Sequence, residues 1–234
     1  MKALPIFFKL LGWDILREIR RRETIPNMLL FALLVLFVAS VGVDRDSGVK
    51  ISSSVGPVFF WVAILFAGTV GLSQSFAAER EGGVLGGIVT SPIDLGTFYL
   101  AKVAATTLYV VVLEIALLFV YGFFFSFVPA SQLGGLIGAM SLFTVGYMGA
   151  GVVLAAMTTT LRGGGEVVLR ILLVPLMIPF LWVILRQSGL FFQTEIAGGA
   201  LGGPLRQSHF FTFCVALDAI YLTVGYLLFP KVLE

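Results

Sequence analysis

The chain has 234 residues, of which 59% are hydrophobic and only 12% charged, with a formal net charge of +2. Soluble domains average about 45–50% apolar and about 25% charged residues, so this composition excludes a soluble globular protein and describes a polytopic membrane protein forming one domain. One cysteine, Cys214, excludes an internal disulfide and any cysteine-based metal cluster; no metal site and no nucleic-acid partner is expected.

Residues 1–24 place Lys2 ahead of an apolar patch, as a signal peptide does. Lys9 and Asp14 interrupt that patch and no small-residue cleavage site follows. Leu4, Phe8, Leu11, Ile15 and Ile19 share one helical face, and Lys9, Asp14, Arg17, Glu18 and Arg20 to Arg22 occupy much of the rest. The pattern predicts an amphipathic helix lying in the membrane interface. Its basic end suits anionic lipid, and Glu18 and Arg22 stand four apart in the favourable order.

A bilayer core of about 30 Å needs roughly 20 apolar residues to cross it. Six stretches qualify, near Met28 to Val43, Val58 to Ala78, Leu95 to Val128, Leu133 to Thr158, Val167 to Leu185 and Phe210 to Phe229. The third is too long for one level span, and Lys102 near its start is expected to snorkel to the interface. Small residues recur every fourth position at Ala63, Ala67, Gly71 and Ser75, and the fourth span carries Gly134 and Gly138, then Gly146 and Ala150, as two such pairs. Such stripes let helices approach closely in lipid. Pro175 and Pro179 are expected to bend the fifth span. Trp61 and Trp182, near span ends, read as interfacial anchors.

Between the second and third spans the apolar monotony breaks. Glu79, Arg80 and Glu81 are followed by Val84, Leu85, Ile88 and Val89 at helical spacing, with Gly82, Gly83, Gly86 and Gly87 on the other face. Pro92 disfavours helix at Ser91, and Asp94 can cap the helix that follows. Each helical glycine is about 1 kcal/mol less favourable than alanine, so a short helix over 79–94 needs a partner surface. It reads either as a docking element or as a tight connector.

Between the fifth and sixth spans, residues 187–208 carry Leu190, Phe191, Phe192, Ile196 and Leu201 around a glycine-rich break. They are too apolar for a free loop, and predict either a re-entrant element of one or two short helices in the outer interface or a loop packed on the bundle. Six spans put both termini on one side. If that side is inside, 11 basic residues lie on or near it and 4, Arg45, Lys50, Arg186 and Arg206, lie outside. That distribution follows the positive-inside rule and makes the 79–94 segment cytoplasmic.

Chemistry-bearing residues are few. The chain has no GxxxxGK[ST] loop, so nucleotide chemistry would belong to a partner. It has no CxxCH motif for covalent heme. His209, the only histidine, starts the last span; without a companion ligand it is a weak heme candidate. Glu114 in the third span and Asp218 in the sixth are intramembrane acids, which by default mark function; the structural alternative is that each is protonated or hydrogen-bonded to a neighbouring helix or subunit.

The run Glu79-Arg80-Glu81, Gly-Val-Leu-Gly-Gly over 83–87, Ser91-Pro92-Ile93-Asp94 and then Lys102 resembles the loop of the CcmB family, or heme exporter protein B. The order of elements along nearly the whole chain is similar too, although those elements alone would suit any ABC-2-type permease. The resemblance implies an all-α fold of six transmembrane helices in the ABC-2-type (type V) arrangement, with an N-terminal interfacial helix, a cytoplasmic coupling helix and an outer re-entrant segment. It also implies the permease subunit of the cytochrome c maturation ABC complex in the bacterial inner membrane, with no catalytic site of its own. Glu79, Arg80, Glu81, Leu85, Pro92 and Asp94 would lie at or beside the contact with a cytoplasmic ATPase subunit that binds ATP. Heme would be the substrate. The further partners would be a tryptophan-rich heme-handling membrane subunit, a small single-span subunit and an outer-face heme chaperone, with a second copy of the chain another candidate. Two alternatives stand beside this: an ABC-2-type exporter of lipid, polysaccharide or drug, and an ATP-independent carrier using Glu114 and Asp218 as proton sites.

Overall fold

Backbone polar groups inside a bilayer have no water to bind, so a spanning segment satisfies them within itself, as a helix does. A computed structural model describes residues 3–42, 51–81, 87–88, 90–91, 93–125, 128–159, 164–192 and 207–233. Among these residues are seven helices and no strand: α1 (Ala3–Arg21), α2 (Thr24–Gly42), α3 (Ile51–Glu81), α4 (Leu95–Phe124), α5 (Ala130–Thr159), α6 (Gly165–Phe191) and α7 (Gln207–Leu233). Each of α2 to α7 is long and apolar enough to cross a membrane, matching the six expected spans. At 1.5 Å per residue, the 30 residues of α4 extend about 45 Å, well beyond a core of about 30 Å.

The bundle is organised around α3 and α5. Helix α5 packs on α3, α4, α6 and α7; α3 adds contacts to α2, α4 and α6. Small residues make these approaches possible. Gly68 of α3 faces the ring of Tyr147, whose hydroxyl donates to the Leu65 carbonyl at 2.7 Å. Gly225 of α7 faces Tyr99, whose hydroxyl donates to the Gly149 carbonyl at 2.9 Å. Along the expected stripes, Ala63, Ala67 and Ser75 are buried, and Gly71 meets the Met28 thioether. Gly134, by contrast, has nothing within 4 Å of the position a side chain would take. The outer faces of α2 and α7 expose Leu30, Leu34, Phe37, Val215, Ile220 and Leu227, as a lipid-facing surface does.

Two expectations change here. Trp61 is fully buried and its indole N–H donates to Ser188 Oγ at 2.8 Å, so it ties α3 to α6 and is no interfacial anchor. Its ring packs edge-on against Phe60 and Phe143. Trp182 is exposed, with the Arg186 guanidinium 4.1 Å from its ring centroid. The re-entrant or packed element expected over 187–208 starts later: α6 continues through Pro175 and Pro179 to Phe191, with Gln187 and Ser188 buried. Ser188 is held there because its hydroxyl donates to the Ile184 carbonyl at 2.8 Å and accepts from Trp61. Residues 193–206 of the expected re-entrant element lie outside the described residues.

Candidate functional site

Helix α1 lies against α4, and the charges it turns toward the bundle build a site with the end of α3 and the start of α4. Lys102, expected to snorkel, is instead 2% exposed. Its ammonium sits 2.5 Å from Glu79 Oε1 and 3.0 Å from Asp14 Oδ1. Arg17 reaches the same Glu79 oxygen at 3.7 Å. Snorkelling lets a lone cation escape to water; here two carboxylates supply the charge partners, so the side chain stays inside. The Phe76 ring adds a face toward the Lys102 ammonium at 5.4 Å.

The cluster is closely built. Glu79 is fully buried. Removal from water pushes its carboxyl above the usual carboxylate range, and Lys102 pulls the other way. Among the described residues, its second oxygen, Oε2, has no hydrogen-bond partner, and neither does the buried Oε1 of Glu18. Glu18 and Arg22 form no ion pair in the structure: Arg22 stands just beyond the end of α1 with φ 53°. The arrangement joins α1, α3 and α4 through one ammonium, so a movement of any one of these helices bears on the other two.

The 79–94 segment links two of those helices. Glu79 faces the bundle and is closed to a direct surface contact. Arg80 and Glu81 belong to the last turn of α3. Leu85 and Pro92 lie outside the described residues, as do Val84 and Val89. Ile88 is buried, while Gly87 is exposed with nothing within 4 Å of its missing side chain. Ser91 closes a turn by donating its N–H and hydroxyl to the Ile88 carbonyl, at 3.1 and 2.7 Å. Asp94 caps α4 as expected: its carboxylate accepts from the Thr97 N–H and hydroxyl, both at 2.8 Å. Those bonds hold its carboxyl below the ordinary range.

The intramembrane acids lie in the helix contacts of the bundle. Glu114 is fully buried and accepts from Thr144 Oγ1 across the α4–α5 contact; its other oxygen has no partner among the described residues. Asp218 of α7 is 6% exposed and lies over Gly146 of α5, where a side chain on the glycine would strike its carboxylate and the Phe180 ring. His209 is exposed at the start of α7. No group of three or more histidine, cysteine, aspartate or glutamate side chains suited to a metal occurs among the described residues.

The sequence reading missed Asp14, Arg17 and Lys102 as members of one site. The signal was present: Asp14 interrupts an apolar patch and Lys102 follows the Asp94 cap inside an apolar run, and an ion placed among apolar residues calls for a named partner.

A family model described as CcmB protein matches residues 5–226. The chain belongs to the CcmB family. No curated protein matches it significantly. In this CcmB family member the matched region takes in the whole charge cluster, the 79–94 segment, both intramembrane acids and His209.

Proposed function

We propose that this CcmB family chain is the permease subunit of an ABC complex for cytochrome c maturation. It couples ATP hydrolysis by a cytoplasmic partner subunit to export of heme, or its release, toward an outer-face heme chaperone. The observation that carries the reading is the family match over residues 5–226. The excess of basic residues on the N-terminal side favours a multi-pass inner-membrane protein with both termini cytoplasmic.

In this reading the ATPase subunit bears on the 82–94 segment, with Arg80, Glu81, Leu85, Pro92 and Asp94 at or beside the contact. Glu79 acts behind it. Closure of the ATPase displaces the segment, and the Glu79–Lys102–Asp14 bridge carries that displacement to α4 and α1 together. A tryptophan-rich membrane subunit and a small single-span subunit complete the complex.

Copurification tests the proposal. The tagged chain is expected to bring down an ATPase subunit from native membranes. Gly86→Leu adds bulk to the segment while raising helix propensity by roughly 1 kcal/mol; Arg80→Glu reverses a charge, and losing a charged partner across a desolvated contact weakens binding by about 2–5 kcal/mol. Both variants, at wild-type membrane levels, are expected to lose the ATPase and c-type cytochrome yield. Full retention of the ATPase and of normal yield in both variants would reduce the segment to a connector.

A further inference from the structure

The outward side of α1 carries two different sectors. Leu4, Phe8 and Ile19, each at least 60% exposed, stand close together on a helix of 3.6 residues per turn and fix the side that enters the acyl region. Farther round the helix, starting beside Ile19 at Leu16 and reaching the opposite side at Arg17, Trp13, Leu16, Arg17 and Arg20 line a cavity of about 490 Å³. The four fall at i, i+3, i+4 and i+7, one continuous strip of the helix. We infer that this cavity is a binding site for the headgroup of an acidic phospholipid.

Three features point to that occupant. The depth is right, because the strip runs from Leu16, beside the acyl-facing residues, round to the basic face of α1, the level at which headgroups meet an interfacial helix. The charge is right: no carboxylate among the described residues pairs with Arg20, and Arg17 makes only a long 3.7 Å contact with Glu79 through one of its nitrogens. A guanidinium presents five N–H donors in a planar fork suited to phosphate, so Arg17 keeps donors for a phosphate on its cavity side. The lining is amphipathic, as a glycerophosphate requires: Leu16 is apolar, and the Trp13 ring holds Arg17 with its guanidinium 5.2 Å from the centroid. Since Arg17 also touches Glu79, a bound headgroup would sit one residue away from the Lys102 bridge. The site stands whichever substrate the complex handles.

Trp13 makes the site visible to brominated lipid. The full-length Trp182→Phe variant, reconstituted in nanodiscs, leaves Trp13 beside the cavity and Trp61 buried as an unquenched reference. Fluorescence is followed as brominated phosphatidylglycerol or brominated phosphatidylcholine replaces unlabelled phosphatidylcholine. Half-maximal quenching is expected at a several-fold lower mole fraction of the anionic lipid. Each basic residue near an anionic surface is worth about 1 kcal/mol, so Arg20→Gln should raise that mole fraction about 5-fold, while Arg20→Lys should keep most of the preference. Arg20 is exposed, so neither change threatens the fold. Equal quenching by the two lipids overturns the site. So does a preference abolished by millimolar inorganic phosphate, which would assign the cavity to a soluble anion. Loss of the anionic-lipid preference when the ATPase subunit is added, with Trp13 then shielded from both lipids, would assign the surface to that protein and likewise overturn the proposal.

Discussion

Lys102 of α4 and Glu79 of α3 form an ion pair of 2.5 Å in which both side chains are almost wholly sealed from solvent. Asp14 reaches the same ammonium from α1. A buried pair of this kind is weak evidence of net stabilisation, because desolvation offsets much of the attraction; breaking it is another matter, since the remaining charge is left buried and alone. With Asp14 on the same ammonium, the cluster ties the middle of α1, the last turns of α3 and the second turn of α4 to one another.

Lys102→Met should consequently destabilise the chain by about 3–5 kcal/mol, the range for removing one partner of a buried pair. Adding Glu79→Leu should recover part of that loss, because one orphaned carboxylate disappears with the ammonium. Thermal unfolding of the purified variants in detergent, combined as a double-mutant cycle, measures the coupling. Equal and additive losses in the two single variants would show that the contact carries no coupling energy.

Glycine spacing makes a second, sharper distinction. Gly146 and Gly134 each open a pair of small residues four apart on α5, yet a side chain at Gly146 would meet the Asp218 carboxylate and the Phe180 ring, whereas one at Gly134 would meet nothing within 4 Å. Gly146→Ala should lower stability by about 1–3 kcal/mol through overpacking. Gly134→Ala should be neutral or stabilising by up to about 1 kcal/mol through helix propensity. Melting temperatures of the two variants, side by side, decide this.

The contrast shows what the sequence could and could not disclose. Hydropathy alone located the six spans, because length and apolarity are the whole of the signal there. The Asp94 cap was equally legible: a carboxylate after Pro92 and before an apolar run has one local task, and it performs it with Thr97. What pairs with what across the bundle was not legible. Nothing about Trp61 in the sequence names Ser188, which is 127 residues away, and nothing about Lys102 names Asp14, which is 88 away. Residues that looked like surface anchors or snorkelling cations became core because distant helices brought them partners. The Gly134 and Gly146 positions fit the same motif for the same reason, and only packing separates them.

The cap supplies a prediction with a definite pH sign. Asp94 has its carboxyl held below the ordinary range by Thr97, so its contribution is fully present above the unfolded value of about 3.9 and fades as pH falls through the lower folded value. Asp94→Ala should remove about 1 kcal/mol of stability at neutral pH. Asp94→Asn should keep most of it, since asparagine caps nearly as well, and should lose the acid-dependent part. Unfolding midpoints at neutral pH and near pH 3 (about one unit below the ordinary carboxylate value) separate the three forms; identical pH profiles for wild type and Asp94→Asn would refute the titration argument.

Glu114 decides between an ATP-driven permease and a proton-coupled carrier. Its carboxyl group is fully buried at the α4–α5 contact, where it accepts a hydrogen bond from the Thr144 hydroxyl. If that bond is its role, Glu114→Gln preserves shape and an acceptor for Thr144, and c-type cytochrome yield should stay near wild type. Glu114→Leu should then be the damaging change, leaving a buried hydroxyl unpaired at about 1–3 kcal/mol, and Glu114→Leu combined with Thr144→Val should recover much of the loss, because both polar partners are then replaced together. A proton carrier behaves in the opposite way: glutamine cannot take up and release a proton, so Glu114→Gln would abolish output while the protein remained as stable as wild type. Yield, melting temperature and nucleotide dependence measured on these three variants distinguish the outcomes. A stable, inactive Glu114→Gln chain whose wild-type counterpart needs no ATPase would overturn the permease reading.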